Sequence, residues 1–256
     1  MSLTIKNPQQ TINTTCDFIK RIYKNNHVSK AVIAVSGGID SALSLTLATR
    51  ALGSENIIPV FLPYKDQDMS DAKKICDWNK IDKKQWIEIS LEKEVDFLSS
   101  TLKVQSEDTI RKGNIMARVR MIMLYDIAKK HQALVCGTEN KSEKLLGYFT
   151  RFGDEASDLE PIDNFYKTQV RQLVTQLKIP SIFLEKKPSA GLWQGQTDEQ
   201  QFGFSYEDAD QVLYQTIEEN KNADQITGIE IKIVKKVLLW MKNQSFKHEV
   251  PYTMSK

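Results

Sequence analysis

The sequence predicts an α/β fold, with a doubly wound, mostly parallel sheet, helices on both faces and a helical C-terminal extension. Short apolar runs alternate with longer stretches of helical period through the first 140 or so residues. Beyond that point the strand signals stop, and the chain reads as loops and helices. No internal repeat or low-complexity linker divides it. We therefore expect a single domain over residues 1–256.

The predicted strands are four short apolar runs. They are "AVIAV" (31–35), "IIPVFLP" (57–63), "WIEISL" (86–91) and "ALVCG" (133–137). Such nearly continuous apolar runs are typical of strands buried on both faces of a parallel sheet. Right-handed crossovers between them would place helices on both faces of the sheet.

The predicted helices fill the stretches between and after these runs. The first carries an apolar stripe from Ala42 to Leu52, and Gly53 is suited to end it. The second spans residues 113–132. Its apolar positions are Ile115, Val119, Ile122, Met123 and Ile127. Three further helices are predicted near 165–178, 206–220 and 228–243, and they make up the C-terminal extension.

Composition argues against several classes of partner and site. The chain has 35 Lys and Arg against 33 Asp and Glu, which gives no support for nucleic acid or a membrane surface as the main partner. Its three cysteines are far apart and lack C-x-x-C spacing, so we expect neither a disulfide framework nor a zinc site. No stretch has the length and apolar character of a signal peptide or membrane span. These features favour the cytoplasm.

The loop "SGGIDS" (36–41) joins the first predicted strand to the first helix. In open α/β folds this edge of the sheet binds ligands, and a helix N-terminus there favours anions. The loop has neither the lysine of a Walker A motif nor the G-x-G-x-x-G pattern. Asp40 would repel a phosphate unless a cation lay between them, so the loop predicts magnesium. The alternative is a tight turn in which Asp40 caps or favourably charges the helix start.

"SGGIDS" resembles the pyrophosphate loop of the N-type ATP pyrophosphatases, which cleave ATP to AMP and pyrophosphate while forming an adenylate. Three further stretches closely resemble, in order and spacing, the ammonia-dependent NAD synthetases. They are "GNIMARVR" (113–120), "GTENKSEKLLGYFTRFGDEASDLEPI" (137–162) and "KPSAGLWQGQTDEQQFGFSY" (187–206). The resemblance covers roughly residues 30 to 251. It implies the Rossmann-like fold of the adenine nucleotide alpha hydrolases and a homodimer.

The resemblance also implies an activity, the last step of NAD biosynthesis. Deamido-NAD carries a nicotinate carboxylate, a poor electrophile, which ATP converts to an adenylate. Ammonia then displaces AMP to form the amide. The chain before the loop leaves no room for an amidase domain, so free ammonia is the expected donor unless a separate glutaminase subunit supplies it.

By resemblance, one set of residues handles ATP and the metal. Asp40 and Glu143 are the implied magnesium ligands, and Asp40, Asp154 and Lys167 are the implied catalytic residues. The implied ATP contacts are Ser36, Gly37, Gly38, Ile39, Asp40, Ser41, Thr138, Lys167 and Ser189. Thr138 follows a strand as Ser36 does, so both should lie at one sheet edge. Taken singly, the structural interpretation is favoured, with Glu143 a solvated acid in a charged run and Lys167 a surface lysine at a helix start.

A second set is implied for the dinucleotide. It consists of Arg118, Tyr148, Phe149, Arg151, Asp158 and Lys247. Tyr148 and Phe149 either stack on the nicotinate ring or simply pack in the core. Asp154 either positions and deprotonates the incoming ammonium or is an ordinary turn aspartate.

The sequence departs from the family pattern at several of these positions. Arg151 stands where many relatives have Lys, and the two cations differ in geometry and hydration. Phe246 stands where a histidine is expected before Lys247. Ser189 replaces a common Thr and Gly191 a common Asp, so a hydroxyl is kept and a carboxylate is lost.

Two loops at the predicted active edge, 64–71 and 187–203, are expected to be mobile without ligand. We expect them to close over the adenylate, because water would hydrolyse it.

Two other functions stay open at this stage. Another N-type ATP pyrophosphatase, GMP synthetase-like or tRNA-thiolating, shares the loop but needs a different acceptor site. A nucleotide-binding sensor would hold ATP without chemistry and would not need the cluster of Glu143, Arg151 and Asp158.

Overall fold

Four strands form one parallel sheet in the computed structural model, which describes residues 3–189, 191–193 and 195–254. They are β1 (Lys30–Ala34), β2 (Ile57–Phe61), β3 (Ile87–Glu88) and β4 (Ala133–Val135), in the order β3-β2-β1-β4. Every pairing is parallel. The predicted strands and the α/β class are confirmed, and each strand ends earlier than its apolar run.

The strand order places β1 in the middle of the sheet. From β1 the chain builds β2 and β3 on one side and then returns to add β4 on the other. Connections on either side of β1 therefore leave in opposite directions, which opens a crevice at the carboxyl ends of β1 and β4. The "SGGIDS" loop leaves β1 at this crevice, as the sequence predicts.

Helices cover both faces of the sheet. Within the described residues they are α1 (Pro8–Asn25), α2 (Ile39–Leu52), α3 (Ser70–Trp78), α4 (Glu92–Thr101), α5 (Thr109–His131), α6 (Lys141–Leu146), α7 (Lys167–Gln176), α8 (Ile182–Glu185), α9 (Asp198–Phe202), α10 (Tyr206–Ile217) and α11 (Ile231–Gln244). Short 3₁₀ turns lie at Ser54–Asn56, Lys83–Gln85, Ala223–Gln225 and Ser245–Lys247. None of the described helices is long and apolar enough to cross a membrane.

On one face, α2 lies beneath α1 and α7. From Ile39 to Ala48 every residue of α2 except Asp40 is buried, because neighbours cover both its inner and its outer side. The helix ends at Gly53 as predicted, with a φ of 89° that favours glycine. α7 packs its Leu173 into this same core. That helix therefore belongs to the body of the fold and not to the extension.

On the other face, α4 and α5 pack against the sheet. Val95, Met116 and Val119 lie in a core cluster with Val32 and Val60 of the strands. Most of the predicted stripe of α5 is thus core. Ile122 is the exception, since this residue is 60% exposed.

The extension is a third apolar cluster formed by α6, α9, α10 and α11. Phe202 lies at its centre, in ring contact with Tyr206 and Trp240. α10 and α11 confirm the two predicted helices after residue 200. After β4 the described chain adds only an isolated bridge between Cys136 and Leu159 to the sheet.

Several helices are absent from the prediction. α1 precedes the first strand and carries clear start signals, since Pro8 is its first residue and the Asn7 side chain accepts the Gln10 N–H. α3 begins at Ser70, inside the predicted loop 64–71. α4 lies between β3 and α5, where its apolar residues are few.

Candidate active site

A cleft of about 430 Å³ opens at the carboxyl ends of β1 and β4. One end is apolar and includes Val60, Leu62 and Leu124. The other end carries the "SGGIDS" loop and Lys167. A cleft with an apolar end and a charged end suits a ligand that has a ring at one end and phosphates at the other.

The "SGGIDS" loop is held tightly against α3. Gly37 has a φ of 77°, and a Cβ there would meet the backbone nitrogen of Ala72 at 3.0 Å. Only glycine fits such a position without strain. Ser36 Oγ accepts the Gly38 N–H at 3.2 Å and lies 3.2 Å from Ser41 Oγ. The loop thus presents two hydroxyls and the start of α2 to the cleft.

Asp40 is not the cap of α2, because Gly38 occupies the N-cap position. Its carboxylate instead accepts hydrogen bonds from Lys167 Nζ at 2.6 Å and from Asn140 Nδ2 at 2.9 Å. Lys167 Nζ also lies 3.0 Å from Glu143 Oε1. Three charged side chains from α2, α6 and α7 therefore meet at the charged end of the cleft, beside the "SGGIDS" loop.

The Lys167 side chain is only 3% exposed. Burial alone would lower the pKa of Lys167, but the attraction of Asp40 and Glu143 raises it well above its ordinary range. The ammonium therefore stays charged. Burial also raises the pKa of Glu143 to about 7, while Lys167 pulls it down. Removal of Lys167 would leave two partly buried carboxylates without their cation.

Local sequence explains how these side chains are placed. Asn140 caps α6 by accepting the Glu143 N–H at 3.0 Å, so one residue orients both carboxylates. The Lys167 N–H donates to Ser142 Oγ at 2.8 Å, and Ser142 donates in turn to Asp210 of α10. This chain of hydrogen bonds joins the starts of α6 and α7 to the extension.

The donor set at this point fits magnesium. The described ranges contain no group of three or more His, Cys, Asp or Glu side chains arranged to hold a metal alone. Magnesium at nucleotide sites is usually held by one or two carboxylates together with substrate phosphates. Asp40 and Glu143 already share one cation, the Lys167 ammonium, and so lie within reach of a common metal ion.

A third carboxylate lies at the same charged end of the cleft and is absent from the prediction. Asp198, at the start of α9, is 3% exposed and accepts hydrogen bonds from Tyr148 Oη at 3.1 Å and Tyr206 Oη at 3.2 Å. Tyr206 Oη also lies 3.4 Å from Glu143 Oε1. Asp198 thus anchors segment 187–203 to the charged end. Ala190 and Gln194 of that segment lie outside the described residues.

The apolar end of the cleft has its own polar rim, which the sequence also does not predict. Arg120 of α5 donates to the Leu62 carbonyl at 3.3 Å and to Gln67 Oε1 at 3.2 Å. Gln67 Nε2 donates to the Gly191 carbonyl at 3.4 Å. Gln67 therefore links the two loops predicted to cover the cleft.

The structure brings most of the residues implied for ATP and the metal together. Those that line the cleft are Ser36, Gly38, Ile39, Asp40, Ser41, Thr138, Glu143, Lys167 and Ser189. Gly37 is in the loop but is not among the lining residues, and its carbonyl accepts a hydrogen bond from Lys186 Nζ at 3.1 Å.

The residues implied for the dinucleotide are divided. Tyr148 lines the cleft, as does Asp154, which accepts the Thr150 N–H at 2.9 Å. Arg118, Phe149, Arg151, Asp158 and Lys247 are not among the lining residues.

Most of these outer residues are used by the backbone around them. Asp158 accepts the Val135 N–H at 2.7 Å and so completes the end of β4. Lys247 Nζ donates to the carbonyls of Gly147 at 2.6 Å and Phe149 at 2.8 Å. Lys247 thereby fixes the C-terminal turn onto the segment before Arg151.

The two family departures at Arg151 and Phe246 meet in space. The Arg151 guanidinium carbon lies 5.1 Å from the Phe246 ring centroid, within the range of a cation–π contact. Arg118 Nε donates to the Arg151 carbonyl at 3.2 Å. A guanidinium stacks on an aromatic face better than an ammonium does, so arginine suits a phenylalanine partner.

Some of the missed residues had a sequence signal. The pattern Asn-x-x-Glu over 140–143 predicts a helix start, and Thr-Asp-Glu over 197–199 predicts another. Arg120 and Lys186 had none, because their partners are backbone carbonyls and side chains distant in sequence.

Comparisons with known proteins agree with this arrangement. A model of the NAD synthase family matches residues 11–251. The NH3-dependent NAD(+) synthetase of Fusobacterium nucleatum is 42% identical over 251 residues, covering 96% of this chain and 95% of the relative. That of Pyrococcus furiosus is 39% identical, covering 96% and 94%.

Solved structures give the same result. A structure described as NMN synthetase from Francisella tularensis has a TM-score of 0.84 at 30% identity, covering 98% of this chain and all of that one. The NH3-dependent NAD synthetase of Campylobacter jejuni, in complex with nitrate, has a TM-score of 0.82 at 28% identity, covering 97% and 100%. The parallel sheet, the "SGGIDS" loop and these matches together make the chain a member of the NAD synthase family.

Proposed function

We propose that this chain catalyses the ATP-dependent amidation of deamido-NAD with ammonia, giving NAD, AMP and pyrophosphate, the last step of NAD biosynthesis. The observation that carries the proposal is the charged end of the cleft. There the buried ammonium of Lys167 joins Asp40 and Glu143 beside the "SGGIDS" loop. Relatives about 40% identical over nearly the whole chain are NH3-dependent NAD(+) synthetases.

In the first step, an oxygen of the acceptor carboxylate attacks the α-phosphorus of ATP and pyrophosphate leaves. Ser36, Ser41 and the backbone of the loop bind the phosphates, and Lys167 neutralises charge on them. Thr138 and Ser189 also line the cleft, and their hydroxyls are the proposed further contacts to ATP. Asp40 and Glu143 would hold a magnesium ion, which supplies further positive charge to the phosphates when bound.

In the second step, ammonia attacks the acyl carbon of the adenylate, and AMP leaves with the electron pair of the broken C–O bond. Ammonium must first lose a proton, and Asp154 is the proposed acceptor. Partial desolvation raises the pKa of the Asp154 carboxyl, against the hydrogen bond from the Thr150 N–H. The residue is exposed to solvent in the cleft wall, where ammonium can reach its carboxyl group.

The dinucleotide extends from the cleft onto the outer surface formed by Arg118, Arg151 and Lys247. Large apolar side chains flank these cations. Ile122 is 60% exposed one helical turn from Arg118, and Phe152 is 57% exposed beside Arg151. An exposed apolar surface around these cations suits a second copy of the chain. We therefore propose a homodimer that completes the acceptor site.

The proposal places the protein in the cytoplasm as one catalytic domain whose partners are small molecules and its own second copy. Its three cysteines are buried free thiols, a state that a reducing compartment preserves.

A smaller acceptor is the second candidate. The Francisella tularensis structure with a TM-score of 0.84 is described as an NMN synthetase. The same chemistry would then amidate nicotinate mononucleotide, which has the same carboxylate but lacks the adenylate half. This acceptor would have less need of the outer surface.

Product analysis tests both candidates. The purified protein is incubated with ATP, magnesium and ammonium, together with either deamido-NAD or nicotinate mononucleotide. We expect NAD, AMP and pyrophosphate in equal amounts, only when deamido-NAD and ammonium are both present. Faster turnover of the mononucleotide would establish the second candidate. ATP that is bound but left intact with both acceptors would mark a sensor or an enzyme with another acceptor.

A further inference from the structure

The phosphate end of the cleft contains a lysine to which neither the motifs nor the proposed mechanism gives a role. Lys186 follows α8 and reaches back over the "SGGIDS" loop. Its Nζ donates to the Gly37 carbonyl at 3.1 Å and to Asp71 Oδ2 at 3.0 Å. Lys186 also lines the cleft, together with Ser36 and Gly38.

Charge at this end of the cleft needs a further cation. Lys167 divides its charge between the phosphates and the carboxylates of Asp40 and Glu143, and Asp198 adds a third carboxylate nearby. ATP and pyrophosphate bring several more negative charges. In a Walker A loop a lysine within the motif binds the β and γ phosphates, but the "SGGIDS" loop contains no lysine.

Lys186 has the capacity to meet that need. An ammonium has three N–H donors, and the Gly37 carbonyl and Asp71 take two of them. The third is left for a ligand. The side chain is 43% exposed and its long aliphatic stem allows small movements. Asp71 is also paired with Lys74 at 3.1 Å, so it does not depend on Lys186 for its only cation.

We propose that Lys186 is a phosphate-binding residue that contacts the β and γ phosphates of ATP and the pyrophosphate that leaves. It supplies from a distant segment the cation that the loop itself lacks. The inference rests on the proposed ATP-dependent function.

The test compares ligands with and without the outer phosphates. ATP, pyrophosphate and AMP are titrated calorimetrically, with magnesium but without acceptor or ammonium, against wild-type protein and Lys186→Met. We expect the variant to bind ATP and pyrophosphate roughly 10- to 100-fold more weakly, the loss expected for one hydrogen bond to a charged group. AMP binding should be unchanged, which also shows that the cleft is intact.

Three further variants separate contact from scaffolding. Lys186→Arg keeps the charge and should recover part of the ATP affinity. Asp71→Asn frees the ammonium from its ion pair and should leave ATP binding equal or tighter. Lys74→Met removes the other partner of Asp71 and serves as the matched control with wild-type ATP binding.

Two results would overturn the proposal. One is wild-type affinity of Lys186→Met for ATP and pyrophosphate. The other is an equal loss of affinity for AMP and for ATP in Lys186→Met, together with the same loss in Asp71→Asn. That result would show that Lys186 only holds the loop against α3. Since no turnover is measured, a failure to make NAD would refute the proposed function and leave this result standing.

Discussion

The charged end of the cleft and the outer surface around Arg118 differ in how completely a single chain forms them. At the phosphate end, Lys167, Asp40 and Glu143 are partly or wholly buried and satisfy one another within the chain. On the outer surface, Arg118 is exposed and its guanidinium has a single backbone carbonyl as described partner. The proposed ATP site is thus preformed in one copy, whereas the proposed acceptor site is open, as expected if a second copy completes it.

The difference teaches where each kind of mutation should act. Mutation of a buried, mutually paired charge should reduce both stability and activity, because the desolvation cost of each charge is offset only by its partner. Mutation of an exposed cation should reduce ligand affinity but change the free energy of unfolding little. The predictions below test this division, beginning with the largest expected effect.

Lys167→Met should cause the largest loss. Activity should fall about a thousandfold, as for removal of a charge that stabilises a transition state. The variant should also lose about 3–5 kcal/mol in the free energy of unfolding by urea, because Asp40 and Glu143 lose their buried cation. Lys144→Met is the matched control. Its pair with Asp163 has 49% and 25% exposed side chains, and its loss should be under about 1 kcal/mol. Equal losses would contradict the division.

Ile122→Lys should break the dimer. Sedimentation velocity should show a wild-type dimer and a variant monomer, because a charge on an apolar interface remains desolvated without a partner. Affinity for deamido-NAD should fall roughly 10- to 100-fold, while the Kd for ATP stays the same. Leu239→Lys, at a 57% exposed position of α11, is the control and should stay dimeric. A monomeric wild-type protein with full activity would refute the second-copy proposal.

Arg118→Ala should act on the acceptor alone. Removal of one charged contact should raise the KM for deamido-NAD about tenfold and leave the KM for ATP unchanged. Arg111→Ala lies on the same helix, where its partner is Asp108 at the start of α5, and should change neither value. An unchanged KM for deamido-NAD in Arg118→Ala would place the acceptor elsewhere.

The last prediction concerns the pH dependence of stability, with little effect on catalysis. It involves Glu139 and Glu160, two acids beside β4. The Glu139 N–H donates to Glu160 Oε2 at 3.0 Å, and Glu139 Oε1 is buried with no hydrogen-bond partner in the described part of the chain. Burial and mutual repulsion raise the pKa of Glu139 to about 9, and burial raises that of Glu160 to about 8.

The sign of the pH effect follows from these pKa values. The unfolded chain loses both protons near pH 4.5, whereas the folded chain keeps them to about pH 8 or 9. Stability should therefore fall as pH rises through this window, by at most about 1.4 kcal/mol per pH unit for each retained proton. Thermal unfolding of Glu139→Gln should show a flatter pH dependence, and the exposed control Glu94→Gln should follow wild type. Parallel curves for all three proteins would contradict the assignment.

Sequence reasoning predicts the phosphate end well and the outer surface poorly, for a physical reason. Strand periodicity fixes the sheet, and the sheet edge brings Ser36 and Thr138 together without further information. Lys186, Arg120 and Asp198 are missed because each makes its contacts with a segment far away in sequence, Asp198 with Tyr148. Ile122 carries the apolar signal of a core residue, yet it is exposed in one copy. A single sequence cannot separate a core position from an interface position.

The adenylate is the one species that joins the two ends, so its formation tests the account most directly. Acceptor deamido-NAD, with ¹⁸O in both carboxylate oxygens, is converted with unlabelled ATP and ammonium, and the products are weighed by mass spectrometry. If the carboxylate attacks the α-phosphorus, AMP carries one ¹⁸O and NAD keeps the other in its amide. Label in pyrophosphate, or AMP without label, would show that the carboxylate never reaches the α-phosphorus and would contradict the account.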